Sequence, residues 1–224
     1  MLYSFGSQQG DGYTPFGNLI LDEAGNLIGT TQNGGNGQCV GSGCGVVYRL
    51  THSSSGWTET ILHTFSYATD GSQPAGGLIS DAAGNLYGVT TYGGPNNGGT
   101  VYELVPSGGG YTFQVVYAFT GNPDSEGPMG PLAMDSSGNL YGANFSDGAY
   151  SWGSIYKLTH TNGGWTYSDL HDFNGTEGAL PEDGPTLDSS GNLYGTTLYG
   201  DRIVLWWMRG RVGTHALVAG TLRQ

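Results

Sequence analysis

The chain has 224 residues, 37% of them apolar and 43 of them glycine, enough for one all-β domain or two small ones. Its net charge is −12 at pH 7, and residues 1–200 set two basic residues, Arg49 and Lys157, against 17 acids, a net of −15. Such a surface repels phosphate backbones and argues against nucleic acid as a partner, and no run of 18 apolar residues exists to cross a membrane as a helix.

One unit recurs along the chain. Asp22-Glu23-Ala24-Gly25-Asn26-Leu27-Ile28-Gly29 returns at Asp81–Gly88, Asp135–Gly142 and Asp188–Gly195, with turn glycines at 25, 84, 138 and 191. The steps of 59, 54 and 53 residues indicate a repeat architecture. Upstream of each turn stands Leu2-Tyr3-Ser4-Phe5, Leu62-His63-Thr64-Phe65, Val116-Tyr117-Ala118-Phe119 or Leu170-His171-Asp172-Phe173. An acid then precedes a proline by about four residues: Asp11 and Pro15, Asp70 and Pro74, Asp124 and Pro128, Glu177 and Pro181. Downstream come Val46-Val47-Tyr48-Arg49-Leu50, Thr100-Val101-Tyr102-Glu103-Leu104 and Ser154-Ile155-Tyr156-Lys157-Leu158, then an aromatic at Trp57, Tyr111 or Trp165.

Each unit therefore holds four short apolar runs, at about 77–80, 85–91, 100–105 and 111–119 in the second. They are rich in Val, Ile, Thr, Tyr and Phe and bounded by turn residues, which predicts strands. No window carries helical spacing. In the turn, Asp caps and Gly accepts a positive φ. Four-stranded meanders repeated at this length predict an all-β, β-propeller-like array of four units, the last incomplete, with a solenoid or irregular stacked sheet as the alternative. The units fall at about 2–61, 62–115, 116–169 and 170–200. Each should bury its strands against its neighbours, so further repeat units or self-association are expected to complete the ring.

After Gly200 the pattern stops. Residues 201–224 hold four of the six basic residues and two of the five tryptophans, which predicts a non-repeat basic tail, either read in a shifted frame or a truncated gene end; a basic functional tail is the rival reading. At the other end Met1 is followed at once by repeat sequence, so no signal peptide is expected in this chain.

The repeat as a whole resembles the GloVer tandem repeat of bacterial choice-of-anchor proteins over residues 2–200. The motifs are Asp70-Gly71-Ser72-Gln73-Pro74, Gly84-Asn85-Leu86-Tyr87-Gly88-Val89-Thr90-Thr91, Gly-x-Val-Tyr-x-Leu and the aromatic that opens the last segment. The resemblance implies export and display at the cell surface, and no assigned reaction.

Cys39 and Cys44 lie in six residues that the first unit inserts between its Thr pair and Gly45. A disulfide pinning that loop is the simplest account, with free thiols or a metal site as alternatives, although no nearby Cys or His completes a zinc site. His63 and His171 share one repeat position and His52 and His160 another, a duplication that speaks against a general base. No phosphate-cradling, serine-nucleophile or calcium-loop motif is present, so no cofactor is expected. Asn144 and Asn174 open short glycosylation-acceptor matches.

A meander alternates its connections between two faces. The acid-to-proline and glycine-rich loops share one face, and long loops on a rigid scaffold often carry function. That face is expected to gather Asp11, Asp70, Asp124 and Glu177 with Tyr92, Phe145, Tyr150 and Trp152. Acids beside aromatics suit a carbohydrate or cation site; the competing reading is that each acid only shapes its own turn. The leading expectation is a non-enzymatic extracellular module that binds a glycan or surface protein. The alternative is a polysaccharide-acting hydrolase or lyase, which needs two convergent carboxylates.

Overall fold

Among the described residues four antiparallel sheets follow one another along the chain. The computed structural model describes residues 2–36, 39, 41–120, 126–146 and 148–200, and the backbone of 205–208. The first sheet comprises β1 (Gly12–Pro15), β2 (Ile20–Leu21), β3 (Leu27–Gly34), β4 (Val46–Ser53) and β5 (Gly56–Thr64). The second is β6 (Ser72–Ser80), β7 (Leu86–Tyr92), β8 (Thr100–Ser107) and β9 (Gly110–Ala118). The third is β10 (Glu126–Met134), β11 (Leu140–Ser146), β12 (Ser154–Thr161) and β13 (Gly164–Asp172). The last is β14 (Thr186–Leu187), β15 (Leu193–Thr196) and β16 (Leu205–Met208). Neighbours in sequence pair in the second, third and last sheets, and in the first β1 and β2 both pair with β3 ahead of β4 and β5, so each unit is a meander and the array is all-β and propeller-like as the sequence predicts.

The Asp-x-x-Gly-Asn turns behave alike. In the second unit Asp81 Oδ1 accepts the Ala83 and Asn85 amides at 2.9 Å, and Oδ2 accepts Asn85 Nδ2 at 2.8 Å. The same bonds recur at Asp22, Asp135 and Asp188. The glycines at 25, 84, 138 and 191 sit at φ between 79° and 81°, the region that glycine enters without a Cβ clash.

Two features extend the sequence reading. The inner strand of the second unit begins at Ser72, five residues ahead of the expected start, because Pro74 pairs with Thr90 inside the ladder. This strand is an edge, where a proline needs no ladder partner for its missing N–H, and a bulge between Ala75 and Ile79 absorbs Gly76 and Gly77. The second feature is β16. Its sequence departs from the repeat, yet Trp206 pairs with Gly195 and Met208 with Leu193, as Tyr102 pairs with Gly88 and Leu104 with Leu86. An aromatic and an apolar residue thus hold the positions that the repeat gives to Tyr and Leu. The rest of the expected tail lies outside the described residues.

Most of the core lies between units, while one cluster, around Val46, Tyr48 and Leu50, sits within the first. With units counted by sheet, so that Phe65 and Phe119 close the first and second, one cluster joins Ile28, Val47 and Phe65 of the first unit to Leu78, Tyr102 and Leu104 of the second. The next joins Tyr87, Val101 and Phe119 to Leu132, Tyr156 and Leu158. Phe65, Phe119 and Phe173 close their units' outer strands and are fully buried. Each junction is also tied through the backbone. Gln73, Gly127 and Leu180, each just before a proline, donate N–H to Cys44, Gly98 and Trp152 of the preceding unit at 3.0, 3.1 and 2.8 Å. These residues and Thr14 have φ between 54° and 69°.

Candidate functional site

Ser66 begins a turn in which Thr69 and Asp70 donate their amides to its carbonyl. Asp70 Oδ2 accepts the Ser66 amide at 3.2 Å and meets His63 Nε2 at 3.1 Å. Asp11 does the same work, accepting the Ser7 amide at 3.1 Å and the Tyr3 hydroxyl at 3.3 Å. Glu177 faces His171 at 3.3 Å. These three expected ligand acids hold their own loops. Asp124, the fourth, lies outside the described residues. The histidines are repeat parts as well: His63 stacks on Phe113 at 3.8 Å, and His52 and His160 lean on Trp57 and Trp165. Asn144, within β11, is fully buried, which removes it as a glycan acceptor in the folded chain.

The expected aromatics separate into two sorts. Tyr92, Tyr150 and Trp152 are exposed, at 51%, 59% and 44% of their surface, whereas Phe145 is half-buried inside β11. Tyr92 ends β7 and is not a loop residue. It stands on the rim of a groove of about 510 Å³ at the junction of the first two units. Tyr67, 41% exposed, forms the other aromatic side, and Ser42, Gly43, Ser72 and Gln73 lie between. Tyr150 and Trp152 belong to the next loop of the same face and do not line it.

The walls of the groove are fixed. The Gly94 amide donates to the Tyr67 carbonyl at 2.6 Å, which joins the Tyr67 turn to the segment after Tyr92. Across the groove Cys39 and Cys44 are joined by a disulfide with a Cα–Cα distance of 5.1 Å. Cys44 is fully buried and its carbonyl receives the Gln73 amide. The Tyr13 hydroxyl donates to the Ser42 carbonyl at 2.6 Å. The inserted loop of the first unit is therefore anchored at three points. Among the described residues the groove's lining carries no ionisable carboxyl, amine or imidazole. Tyr67, Gln73 and Ser42 are absent from the sequence-based set. The available signal was position: Tyr67 lies in the turn that begins at Ser66, just past the buried Phe65, and Gln73 precedes Pro74.

Carboxyl pairs do occur, away from the groove. Burial and the adjoining Asp11 carboxyl push Glu59 up to about 7, and burial with Asp172 beside it holds Asp169 well above the carboxylate range. Asp11 Oδ1 and Glu59 Oε1 are buried without another donor among the described residues, which a proton held between the two carboxyls satisfies. Such contact is closer than the roughly 5 Å or more that glycoside hydrolysis requires. The turn aspartates go the other way. Burial opposes ionisation of Asp22 and Asp135, but the bonds from the Asn side chain and amides prevail and lower both.

A pH optimum follows from these opposed shifts. A carboxyl raised in the folded state stabilises fully below its unfolded value, 4.5 for Glu59, and loses that contribution as pH rises through about 7. A lowered one contributes above its ordinary range and is lost on acidification. The melting temperature is therefore expected to be higher at pH 5 than at pH 8, and Glu59→Gln to flatten that decline, as read by thermal melts across this range. An unchanged slope in the variant would remove Glu59 as its source.

No helix of the described residues is long and apolar enough to cross a membrane. No curated protein matches the chain. Among solved structures it is similar to a protein carrying the provisional description gluconolactonase, at 18% identity and a TM-score of 0.52, covering 84% of this chain and 58% of that one. It is also similar to a protein of unknown function from Dyadobacter fermentans, at 15% identity and a TM-score of 0.52, covering 87% and 64%. The chain thus spans under two thirds of either neighbour, and at these identities the likeness shows the fold alone. The sequence profile of the Gloeobacter/Verrucomicrobia repeat matches residues 1–132, over half of the chain. With the same turn and strand set continuing through a third and fourth unit, the chain belongs to the Gloeobacter/Verrucomicrobia repeat family.

Proposed function

We propose that this domain is a non-enzymatic binding module, displayed outside the cell, that takes a neutral saccharide in the groove between Tyr67 and Tyr92. The observation that carries the reading is an uncharged, aromatic-sided groove on a strongly acidic molecule. Tyrosine rings offer flat apolar area to the C–H face of a sugar. The Gln73 amide and the Ser42 and Ser72 hydroxyls offer a few directed hydrogen bonds, the usual composition of a small-ligand site. A neutral ligand meets no desolvated charge there, whereas an anionic one meets the surrounding acids. The disulfide in the groove wall suits an oxidising compartment.

Calorimetric titration with soluble neutral polysaccharides tests this. Tyr67→Ala and Tyr92→Ala are each expected to weaken binding about tenfold, from the loss of one ring contact, while melting within a few degrees of the wild type. Asp70→Ala is expected to act differently, lowering stability as well, because its carboxylate holds the Tyr67 turn. Reduction of the disulfide is expected to weaken binding while lowering stability by about 2 kcal/mol or less, since the closed loop is short. Unchanged affinity in both tyrosine variants would sink the assignment.

A polysaccharide-acting hydrolase or lyase is the second reading. The observation in its favour is a concavity of about 790 Å³ where the inner strands converge, with Glu182 and Asp183 exposed on its wall. Turnover of a polysaccharide that disappears in Glu182→Gln would carry it over the first.

A further inference from the structure

We propose that the junction of the third and fourth sheets carries a second neutral-saccharide site, with Trp152 and Tyr199 as its rings, so that the domain holds one polysaccharide at two places. This rests on the reading of the Tyr67–Tyr92 groove as a saccharide site. At that first junction Tyr92 stands opposite Ser72 in the ladder, and the next residue, Gln73, donates its amide to Cys44 of the preceding sheet at 3.0 Å. At the third junction Tyr199 stands opposite Ala179, with amide-to-carbonyl bonds of 2.8 and 3.1 Å in the two directions. The next residue, Leu180, donates to Trp152 of the preceding sheet at 2.8 Å. Tyr92 follows Leu86 by six positions, as Tyr199 follows Leu193, so the two tyrosines hold one repeat position. Both are exposed, Tyr199 at 60%.

The second ring arrives from another direction. In the first groove it is Tyr67, two residues after the buried Phe65. The residue two after Phe173 is Gly175, and a Cβ there would lie 3.3 Å from Trp152 Nε1 and 3.5 Å from its Cε2. The indole therefore covers the place where a side chain at 175 would begin. A ring stands at the Tyr67 position here too, supplied by the loop of the preceding sheet.

The frame around the pair is held by the chain itself. Asp172 Oδ1 accepts the Ala149 amide at 3.1 Å, and the Ser151 amide donates to the Gly148 carbonyl at 3.3 Å, which fixes the loop carrying Tyr150 and Trp152. Asn174 Oδ1 accepts the Thr176 amide and hydroxyl at 3.0 Å and the Glu177 amide at 3.3 Å, so the donor it can offer a ligand is Nδ2. Glu177, the acid of this turn, lies against His171 at 3.3 Å. Exposed rings beside a carboxamide, with the nearby acid already engaged, repeat the chemistry of the first groove. The second junction breaks the pattern: Ser146 holds the tyrosine position, opposite Glu126, and Gly98 holds that of Trp152. The two aromatic sites therefore flank a junction with neither ring, and only a polymer that crosses the second and third sheets reaches both.

Calorimetric titration of the full chain tests this, with short neutral oligosaccharides of glucose, xylose, mannose and galactose and the soluble polysaccharides built from them. For an oligosaccharide that binds, two sites per chain are expected. Its parent polymer is expected to bind about 100-fold tighter or more, because the second contact becomes intramolecular. Trp152→Ala with Tyr199→Ala is expected to leave one oligosaccharide site and to remove most of the polymer's advantage. Both side chains are exposed, and melting within a few degrees of the wild type verifies the fold; Tyr199→Ser alone replaces the double variant otherwise. One site in the wild type, lost in Tyr67→Ala with Tyr92→Ala and indifferent to Trp152 and Tyr199, would overturn this proposal and leave the first groove standing. One site lost only with Trp152 and Tyr199 would remove the first groove and keep this one. No binding across the panel would overturn both.

Discussion

Gly76→Ala is expected to cost about 2–5 kcal/mol of stability, from roughly 1–2 for a non-glycine residue in the left-handed region and about 1–3 for an overpacked contact. A Cβ at Gly76, whose φ is 83°, would lie 2.0 Å from the carbonyl carbon of Gly130 and 2.4 Å from its Cα. Those are backbone atoms of the next inner strand, so relief requires moving one whole unit against another. The contact is part of a series: Gly17 abuts Gly76 and Gly77, and Gly130 abuts Asp183 and Gly184. Gly138→Ala is the control. Its φ is 79°, and nothing lies within 4 Å of the added atom. It should therefore cost only the backbone part, about 1–2 kcal/mol. Urea melts of both variants measure the difference. Equal losses would mean that the inner strands are not packed this closely.

Phe119→Ala is expected to be as damaging, at about 3–5 kcal/mol. Phe119 follows β9, the outer strand of the second unit, but its ring is fully buried, edge-on to Tyr156 of the third unit at 5.0 Å. Its removal leaves a cavity between units and should loosen both. Phe5→Ala changes the residue at the same repeat position ahead of β1, where the ring is only half-buried. A loss of about 1–2 kcal/mol is expected there, because less apolar surface returns to water. Because stability in a repeat array is the sum of unit and junction contributions, the Phe119 variant should also broaden the transition. A sharp melt only slightly below the wild type would contradict a core placed at the junctions.

The period of the Asp-x-x-Gly-Asn turn carried the architecture, because that turn is local. Its hydrogen bonds run from Asp81 to Ala83 and Asn85, all within five residues. The junctions are non-local, and the sequence was less direct about them. Pro74 looked like the end of a loop because a proline breaks most strands. It lies inside an edge strand whose outward N–H, from Gln73, serves the preceding unit. The acids were legible as a repeated feature, but their role was not. Asp70 bonds to Ser66 and His63, which only a folded turn brings together. The groove depends on Tyr67 and Tyr92, 25 residues apart, meeting the inserted Ser42 loop of a different unit, so no local motif announced it. Leu205–Met208 broke the repeat in composition while keeping its aromatic-x-apolar order, and β-pairing reads that order rather than identity.

Chemical-shift mapping with a neutral oligosaccharide locates the ligand on the fold. The ring resonances of Tyr67 and Tyr92 and the side-chain amide of Gln73 are expected to shift together and saturably, with the turn residues Asn85 and Asn139 unmoved. Shifts confined to the Asp-x-x-Gly-Asn turns, or to the wall around Glu182 and Asp183, would contradict that placement and put the ligand on another surface.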